Sequence, residues 1–336
     1  MQKEGEDEPV KLDRLDYRIL HELDCDAFQS LSKIGKKLHT GRDVMHYRVK
    51  RLEELGIIKN YAPIIDYGKM GYTVGAVYIK CHHDTPELRA EIIEYYKNNK
   101  DVWWLFDMLP NYDLALGWFG KSLSELTDKK ITLLRKYKKY FREFKFRIYN
   151  RHHHFKRDYL THVEPGVSSA RIARTERSFV VSAGTEKLTD ETDDKILKLL
   201  SENARLPYTE IADRLDLSAA QVHYRIQNLK QKKIILGAKP MLDLQKFGYG
   251  LFKLDIYLDD YSIYEDLRKF VHSLPNVVYS YDVIGGADIE LDFEVRNFAE
   301  LSKIQDAIKS KFGQAISHTE YYQFTKEYKL SYFLQV

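Results

Sequence analysis

Cysteine, long apolar runs and a one-sided charge are all lacking from this sequence. Only 2 of the 336 residues are cysteines, Cys25 and Cys81, which excludes a disulfide framework and favours a reducing, cytoplasmic location. No apolar run approaches the roughly 20 residues that span a bilayer. The polar N-terminus is not expected to be a secretory signal, and no membrane partner is predicted. The net charge is only +3, so any surface for a polyanion must be local.

Recognisable catalytic and metal-binding motifs are also missing. The sequence contains no phosphate-binding glycine loop and no nucleophile elbow, so no enzyme activity, catalytic residue or cofactor is predicted. Two histidine-rich stretches, "CHHD" at 81–84 and "RHHHFK" at 151–156, lack a Cys-x-x-Cys or His-x-x-x-His partner. Adjacent residues of a strand point to opposite faces, so at most alternate histidines converge. No metal site is predicted.

What the sequence does contain is a two-part unit that occurs twice. At an offset of 177 residues, "HYR" at 46–48 meets "HYR" at 223–225, and Gly71 meets Gly248. Farther along the offset falls to 175, so that Asp113 meets Asp288. Ungapped agreement over such a length indicates an internal duplication. The Ser- and Gly-rich segment 161–187 between the copies is typical of a linker, and its "SFVV" favours an edge strand.

The first part of each unit has the pattern of three short helices. Apolar residues at helical spacing in Asp16–Asp24 predict the first helix, and Ser30 is suited to cap the second. A third helix is predicted to begin after Thr40 or Gly41 in the first copy and after Ser218 in the second. The turn before it gives a helix-turn-helix, and "GIIKNYAPIID" predicts a wing or hinge strand.

The outward face of the third helix is predicted to bind double-stranded DNA. A helix fits the major groove, where polar side chains reach base edges and basic ones neutralise phosphates. Arg48 and Arg225 lie beside the buried stripe, so contact with the DNA backbone is expected of them. A merely solvated face is the alternative, but two such helices match the two half-sites that these proteins usually bind. The predicted DNA-binding residues are Arg42, Asp43, His46, Tyr47, Arg48, Arg51, Ala219, Gln221, His223, Tyr224 and Arg225.

The second part of each unit has the element order βαββαβ, which is typical of a ferredoxin-like sheet. The fold class is therefore α+β, with two copies of a winged helix-turn-helix followed by a ferredoxin-like domain. Apolar residues at every position of 102–106 predict a strand covered on both faces. The other copy's sheet, around 277–283, is the expected cover, which makes the chain an intramolecular pseudo-dimer. The predicted domains are 12–66 and 188–243 for the winged helix-turn-helices, 71–160 and 248–334 for the ferredoxin-like domains, and 161–187 for the linker.

This order of elements resembles the Lrp/AsnC family of prokaryotic transcription regulators. "VMHYRVKRLEELGIIKNY" and "TEIADRLDLSAAQVHYRIQNL" are similar to its DNA-binding signature. The resemblance implies a sequence-specific regulator with further homo-oligomerisation, although members usually carry one copy. It also implies an amino-acid-like effector at a Gly-x-x-Asp hairpin, with a plain hairpin turn as the alternative. In the first copy Pro110 replaces the glycine. The implied effector-binding residues are Gly285, Gly286, Asp288, Asn111 and Asp113.

Two other functions stay open at this point. The siroheme decarboxylases of haem biosynthesis resemble this architecture but carry an Arg pair after the wing, which "GIIKNY" and "KIILGA" lack. The second alternative is an interaction scaffold whose helices no longer contact DNA. The basic, aromatic stretch 129–157 favours a charge-protected sheet edge over an additional phosphate-binding surface. Its counterpart in the second copy, including "DIELDFEV", is acidic, which favours either attraction between the halves or an approach to DNA by one side only.

Overall fold

The computed structural model describes residues 8–82, 85–161 and 178–331, so most of the predicted linker and part of "CHHD" lie outside the described residues. The fold is α+β, and each copy runs from three helices into a βαββαβ sheet. The elements of the first copy are α1 Arg14–Cys25, α2 Leu31–Leu38, α3 Arg42–Glu54, β1 Ile58–Ile65, β2 Thr73–Cys81, α4 Pro86–Lys97, β3 Val102–Leu109, β4 Leu114–Gly120, α5 Leu123–Tyr137 and β5 Phe141–His154. Strand β6, Phe179–Ser182, precedes the second copy. The elements of the second copy are α6 Glu191–Glu202, α7 Tyr208–Leu215, α8 Ala219–Gln231, β7 Ile235–Leu242, β8 Gly250–Leu258, α9 Tyr264–Ser273, β9 Val277–Ile284, β10 Ile289–Val295, α10 Phe298–Phe312 and β11 Ile316–Leu330.

Side-chain caps fix where the helices of the helix-turn-helix begin. Asp13 and Asp190 occupy the N-caps of α1 and α6, and each takes part in a capping box. Ser218 caps α8 in the same way, as predicted. Helix α3 begins after Gly41 without a side-chain cap. The second copy therefore has the better-capped third helix.

The turn before the third helix uses left-handed backbone in both copies. His39 ends α2 with φ 54°, and Asp216, at the equivalent position, ends α7 with φ 55°. A second pair follows the third helices, where Gly56 has φ 67° and Lys233 has φ 55°. Lysine adopts this conformation less readily than glycine. The duplication has thus preserved the backbone path even where the residue type changed.

The three helices of each copy pack around the predicted apolar stripe. Helices α3 and α8 turn their stripes fully inward, because every stripe residue is at most 4% exposed. These residues are Met45, Val49, Leu52, Val222, Ile226 and Leu229.

Two sets of strand pairs join the copies. Strands β1 and β7, which follow the third helices, pair antiparallel with each other, with Ala62 opposite Lys239. The long last strands β5 and β11 begin in their own sheets, against β2 and β8. They then continue into the other copy, where β5 pairs with β9 and β11 pairs with β3. The two copies are therefore linked edge to edge at both sides.

Eight strands consequently form a closed antiparallel barrel. The sheet order is β2-β4-β3-β11-β8-β10-β9-β5-β6, and β5 also pairs with β2, which closes the ring and leaves β6 outside. Strand β6 confirms the edge strand predicted at "SFVV". Apolar residues under α4 and α5 cover the outer face of the first sheet, and those under α9 and α10 cover the second. Within the described part of the chain, no helix has the length and apolar character to cross a membrane.

Candidate nucleic-acid interface

The third helix of each copy presents large aromatic side chains to solvent. Tyr47 on α3 is 67% exposed, and Tyr224, its equivalent on α8, is 72% exposed. The preceding residues, His46 and His223, are exposed as well. Aromatic side chains at such exposure add nothing to the core, and their recurrence in both copies indicates a surface for a partner.

The first turns of the two helices differ. Arg42 and Asp43 are exposed on α3, together with Val44, which sequence reasoning had not included. On α8, Ala219 is half-buried, and Gln221 Oε1 accepts a hydrogen bond from Ser218 N at 2.8 Å. The predicted DNA-contacting amide therefore caps its own helix. At this turn the first copy has exposed charged side chains. The second copy has two alanines and a glutamine whose side chain already caps the helix.

Arg48 in the first copy anchors the third helix to the start of the first. Its Nη1 donates to Asp13 Oδ2 and, at 2.9 Å, to Asp16 Oδ1. Arg51 Nη1 also reaches Asp16 Oδ2, at 3.1 Å. The hydrogen bond from Arg48 holds the pKa of Asp13 below its usual range. Only the remaining guanidinium donors are left for the predicted DNA-backbone contact.

Arg225 repeats this anchor in the second copy. Its Nη1 donates to Asp190 Oδ2 at 2.7 Å and to Asp193 Oδ1 at 2.8 Å. The hydrogen bond lowers the pKa of Asp190, as Arg48 does for Asp13. Asn228 stands where the first copy has Arg51. The two arginines therefore position the candidate interface in addition to lying beside it.

The predicted effector carboxylates are engaged in equivalent backbone contacts. Asp113 Oδ2 accepts from Cys81 N at 2.8 Å, and Asp288 Oδ2 accepts from Leu258 N at 2.7 Å. The second oxygen of Asp288 accepts from the hydroxyl of Tyr261. Each carboxylate thus ties the β-hairpin to the end of a neighbouring strand, which agrees with the alternative of a structural turn.

The other predicted effector residues lie at the same hairpins. Asn111 and Gly285 are exposed, and Gly285 adopts φ 81°, a conformation that favours glycine. Gly286 is half-buried, and a Cβ at this position would meet Glu290 Oε1 at 2.1 Å. These glycines are therefore explained by the turn and by close packing, and the effector site stays a prediction.

A cavity that the sequence had not revealed lies at one end of the barrel. Its volume is about 470 Å³, and its walls come from the barrel interior and from the segments that lead to the helix-turn-helices. His152 and His154 line it with their ring centroids 4.0 Å apart, as strand alternation requires. Burial holds the pKa of both imidazoles far below the usual range. Among the described residues, no three or more His, Cys, Asp or Glu side chains are placed so that they could hold a metal ion.

Both helix-turn-helices match families of known proteins. A winged helix-turn-helix DNA-binding family matches residues 12–59, and an AsnC-type helix-turn-helix domain matches residues 190–230. Regulatory protein AsnC of Haemophilus influenzae is 33% identical over 132 residues, which cover 39% of this chain and 87% of that protein. The proline dehydrogenase transcriptional activator of Rhodobacter capsulatus is 32% identical over 120 residues, covering 35% of this chain and 78% of that one.

Among solved structures, a siroheme decarboxylase, NirDL, is similar over both copies. Its crystal structure in complex with an iron-uroporphyrin III analogue covers 96% of this chain and 94% of that chain, with a TM-score of 0.60. The sequences are 14% identical, so the likeness concerns the fold alone. It shows that the tandem architecture occurs in another protein.

Proposed function

The chain belongs to the Lrp/AsnC family of transcription regulators, and we propose that its two helix-turn-helices bind one DNA duplex in a sequence-specific manner. The observation that carries this proposal is the exposure of His46–Tyr47 on α3 together with His223–Tyr224 on α8. Histidine and tyrosine both donate hydrogen bonds, and tyrosine is a frequent contact to DNA phosphates. A scaffold that no longer bound DNA would have no reason to keep the same exposed pair at both positions.

The strand pairs between the copies support simultaneous binding. Because β1 pairs with β7, the segments that follow the two third helices are held against each other. One chain would therefore present two recognition helices, as paired chains do in other helix-turn-helix regulators, to half-sites about 34 Å or a multiple of it apart. The first turn of α3 has Arg42 and Asp43 where the first turn of α8 has Ala219 and Ala220. Because the two helices differ there, the expected DNA site is asymmetric.

Selection of DNA from the protein's own genome tests the proposal. The full chain is incubated with sheared genomic fragments at about 0.1 M salt, and the retained fragments are sequenced. We expect a small set of fragments that share a bipartite motif. A variant carrying Tyr47→Ala and Tyr224→Ala should lose this enrichment, whereas Tyr95→Ala, which removes an exposed tyrosine from α4, should keep it. Equal enrichment by all three proteins, or by none, would contradict the proposal.

A tetrapyrrole-binding enzyme is the second candidate, and the cavity supports it. His152 is 3% exposed, lines the cavity and has no hydrogen-bond partner on either ring nitrogen. A neutral imidazole of this kind suits an iron ligand, and NirDL was solved with an iron-uroporphyrin III analogue. Titration with ferric haem, followed by absorbance, tests this function. A stoichiometric absorbance band in the wild type that disappears in His152→Ala would favour the enzyme. If the wild type shows no such band, the regulatory function is favoured instead.

A further inference from the structure

The cavity at the end of the barrel has the features of a binding site for a small molecule. It is about 470 Å³ in volume, within the range of ligand-binding pockets. On one side its wall is formed by the barrel strands β2, β3, β5, β8, β9, β10 and β11. On the other side it is formed by Lys59 of β1 and by residues 241–245 at the end of β7. A molecule bound here would contact both the barrel and the segments that lead to the helix-turn-helices.

Three buried side chains on the cavity wall have polar atoms without a hydrogen-bond partner. These atoms are both ring nitrogens of His152, Nε1 of Trp103 and Oδ1 of Asp292. Each of the three residues is at most 7% exposed. A buried polar atom without a partner costs about 1–3 kcal/mol, and a ligand in the cavity that these three residues line would supply partners after small side-chain shifts.

The buried charges beside the cavity are not balanced. Arg147 and Lys253 are the two cations of a fully buried cluster, and Asp255, Glu290 and Asp292 are its three carboxylates. Asp292 has the weakest compensation, because Lys253 Nζ is 3.6 Å from its Oδ1 and only 2.9 Å from Glu290 Oε2. The cluster therefore has one carboxylate more than it has cations, and Asp292 is its member on the cavity wall.

Most other charged groups of the wall are already paired, and the exceptions are Asp243 and Lys326, which have no ion pair among the described residues. Arg157 contacts both Asp24 and Glu294, at 2.6 Å and 2.8 Å, and Lys59 lies 3.8 Å from Glu327. These pairs have no surplus charge to offer a ligand. Among the buried carboxylates of the wall, Asp292 is accordingly the one whose cation is most distant.

Aromatic rings make up much of the remaining wall. His152 stacks on Tyr281 with a centroid distance of 4.5 Å and lies 5.9 Å from Trp103. Tyr281 in turn donates a hydrogen bond to Asp292 Oδ2 at 2.6 Å. Flat ligands stack on such rings, and aromatic walls attract cations through the ring quadrupole. The rings and the carboxylate all belong to residues that line the cavity.

We propose that this cavity binds a flat aromatic amine, with its protonated nitrogen at Asp292 and its ring against the aromatic wall that includes Tyr281. The ligand acts as an effector of DNA binding, a step that rests on the proposed regulatory function. Arg157 provides the coupling, because it lines the cavity and contacts Asp24 at the end of α1. A ligand that shifts Arg157 would move the first helix-turn-helix relative to the barrel.

Isothermal titration of the full chain with three indole compounds tests the binding step. Tryptamine carries an ammonium group, indole is neutral, and indole-3-acetate carries a carboxylate on a similar ring system. We expect tryptamine to bind at least tenfold more tightly than indole, and indole-3-acetate to bind most weakly. Tight binding of indole-3-acetate, or no heat from any of the three at millimolar concentration, would overturn the proposal. This comparison uses the unaltered chain, so it does not depend on whether a variant folds.

Two variants locate the site. Asp292→Asn keeps the shape of the side chain and should reduce tryptamine affinity about tenfold while leaving indole affinity unchanged. His152→Phe should weaken both compounds by filling the cavity. Equal loss of indole and tryptamine in Asp292→Asn would contradict a charge contact at this residue. Stoichiometric binding of ferric haem without binding of tryptamine would assign the cavity to a tetrapyrrole instead.

The regulatory step has a separate readout. DNA affinity is measured with and without saturating tryptamine, using fragments selected as described above. A change of threefold or more in the wild type, and none in Asp292→Asn, is expected. If tryptamine binds and DNA affinity does not change, the effector role is wrong, but the cavity is still a binding site for the amine. If no DNA binds at all, the regulatory function fails independently of the titration.

Discussion

Arg147 Nη2 of the first copy lies 2.7 Å from Asp255 Oδ2 of the second, and both side chains are fully buried. Arg147 Nη1 also lies 2.8 Å from Glu290 Oε1. The equivalent positions in the opposite copies hold Tyr322 and Tyr78, so the charges are distributed unequally. A barrel made from two second copies would place their buried carboxylates together without this arginine. The network therefore favours pairing between unlike copies.

Arg147→Met should destabilise the protein strongly. The substitution leaves Asp255 and Glu290 buried with one cation fewer, and breaking a buried pair in this way costs about 3–5 kcal/mol. Urea denaturation measures the difference. Arg151→Met is the matched control, because Arg151 is on the same strand but is 55% exposed in its ion pair with Asp282. Its loss should stay below about 1 kcal/mol, and similar losses in the two variants would count against the buried network.

Asp24 should make the stability depend on pH in the acid range. Burial acts to raise the pKa of this carboxyl, but Lys239 and Arg157 outweigh it and lower the pKa to about 2. A lowered pKa contributes stability above the usual value near 3.8, and this contribution is lost as the pH falls through about 2. Urea denaturation should show Asp24→Asn less stable than the wild type by a few kcal/mol at pH 7. The difference should shrink toward pH 2, and a constant difference would contradict the assignment.

Asp288→Ala separates the structural role of the hairpin from an effector role. The substitution removes the acceptor for Leu258 N and should cost about 1–3 kcal/mol of stability, read from the melting curve. Asp113→Ala, which removes the same contact to Cys81 N, should have a comparable effect. Neither change should alter DNA affinity with or without amino acids. A loss of amino-acid response with unchanged stability would restore the predicted effector site.

Tryptamine binding should strengthen as the pH rises through about 6. Burial raises the pKa of Asp292 to about 6, so its carboxyl is neutral below this pH and attracts an ammonium group above it. The groups facing it are Lys253, Tyr281, Glu290 and Asp255. The raised pKa means that the carboxyl stabilises the free protein at low pH and loses this contribution as the pH rises. Calorimetry at pH 5 and pH 7.5 should give the tighter complex at 7.5, and indole should show no such change.

The two recognition helices should contribute unequally to specific binding. Arg42 and His46 lie exposed on α3, whereas α8 presents half-buried Ala219 and a self-capping Gln221. Arg42→Ala with His46→Ala should therefore weaken specific DNA binding by about tenfold or more. Ala219→Ser with Gln221→Ala should weaken it by less than threefold. Electrophoretic mobility shifts with a selected fragment measure both, and equal losses would mean that the helices are equivalent.

The sequence was sufficient for the elements whose formation is local. Apolar periodicity located the third helices, Ser218 marked a helix start, and the repeat offset showed that both copies share one fold. The comparisons confirm the family and the α+β class. Helix periodicity and helix capping depend on residues that are close together in the sequence, so they can be read from the sequence directly.

The closed barrel and its cavity could not be predicted in this way. Strand β10 alternates Glu290, Asp292 and Glu294 with apolar residues, a pattern typical of one solvent-facing side, yet all three carboxylates are buried. They are buried because β5 and β11 extend into the opposite sheets and enclose them. Such pairing depends on contacts between residues far apart in the chain. The cavity histidines were visible in "RHHHFK", but nothing local indicated what lies opposite them.

DNA binding by the two helix-turn-helices is tested by the affinity of the full chain for a selected genomic fragment, measured by fluorescence anisotropy from low to moderate salt. We expect tight binding that weakens steeply with salt, because phosphate contacts release counterions. Tyr47→Ala with Tyr224→Ala should bind about tenfold or more weakly, while Tyr95→Ala should match the wild type. Failure of the wild-type protein to bind its genomic DNA even at low salt would contradict the proposed DNA-binding function.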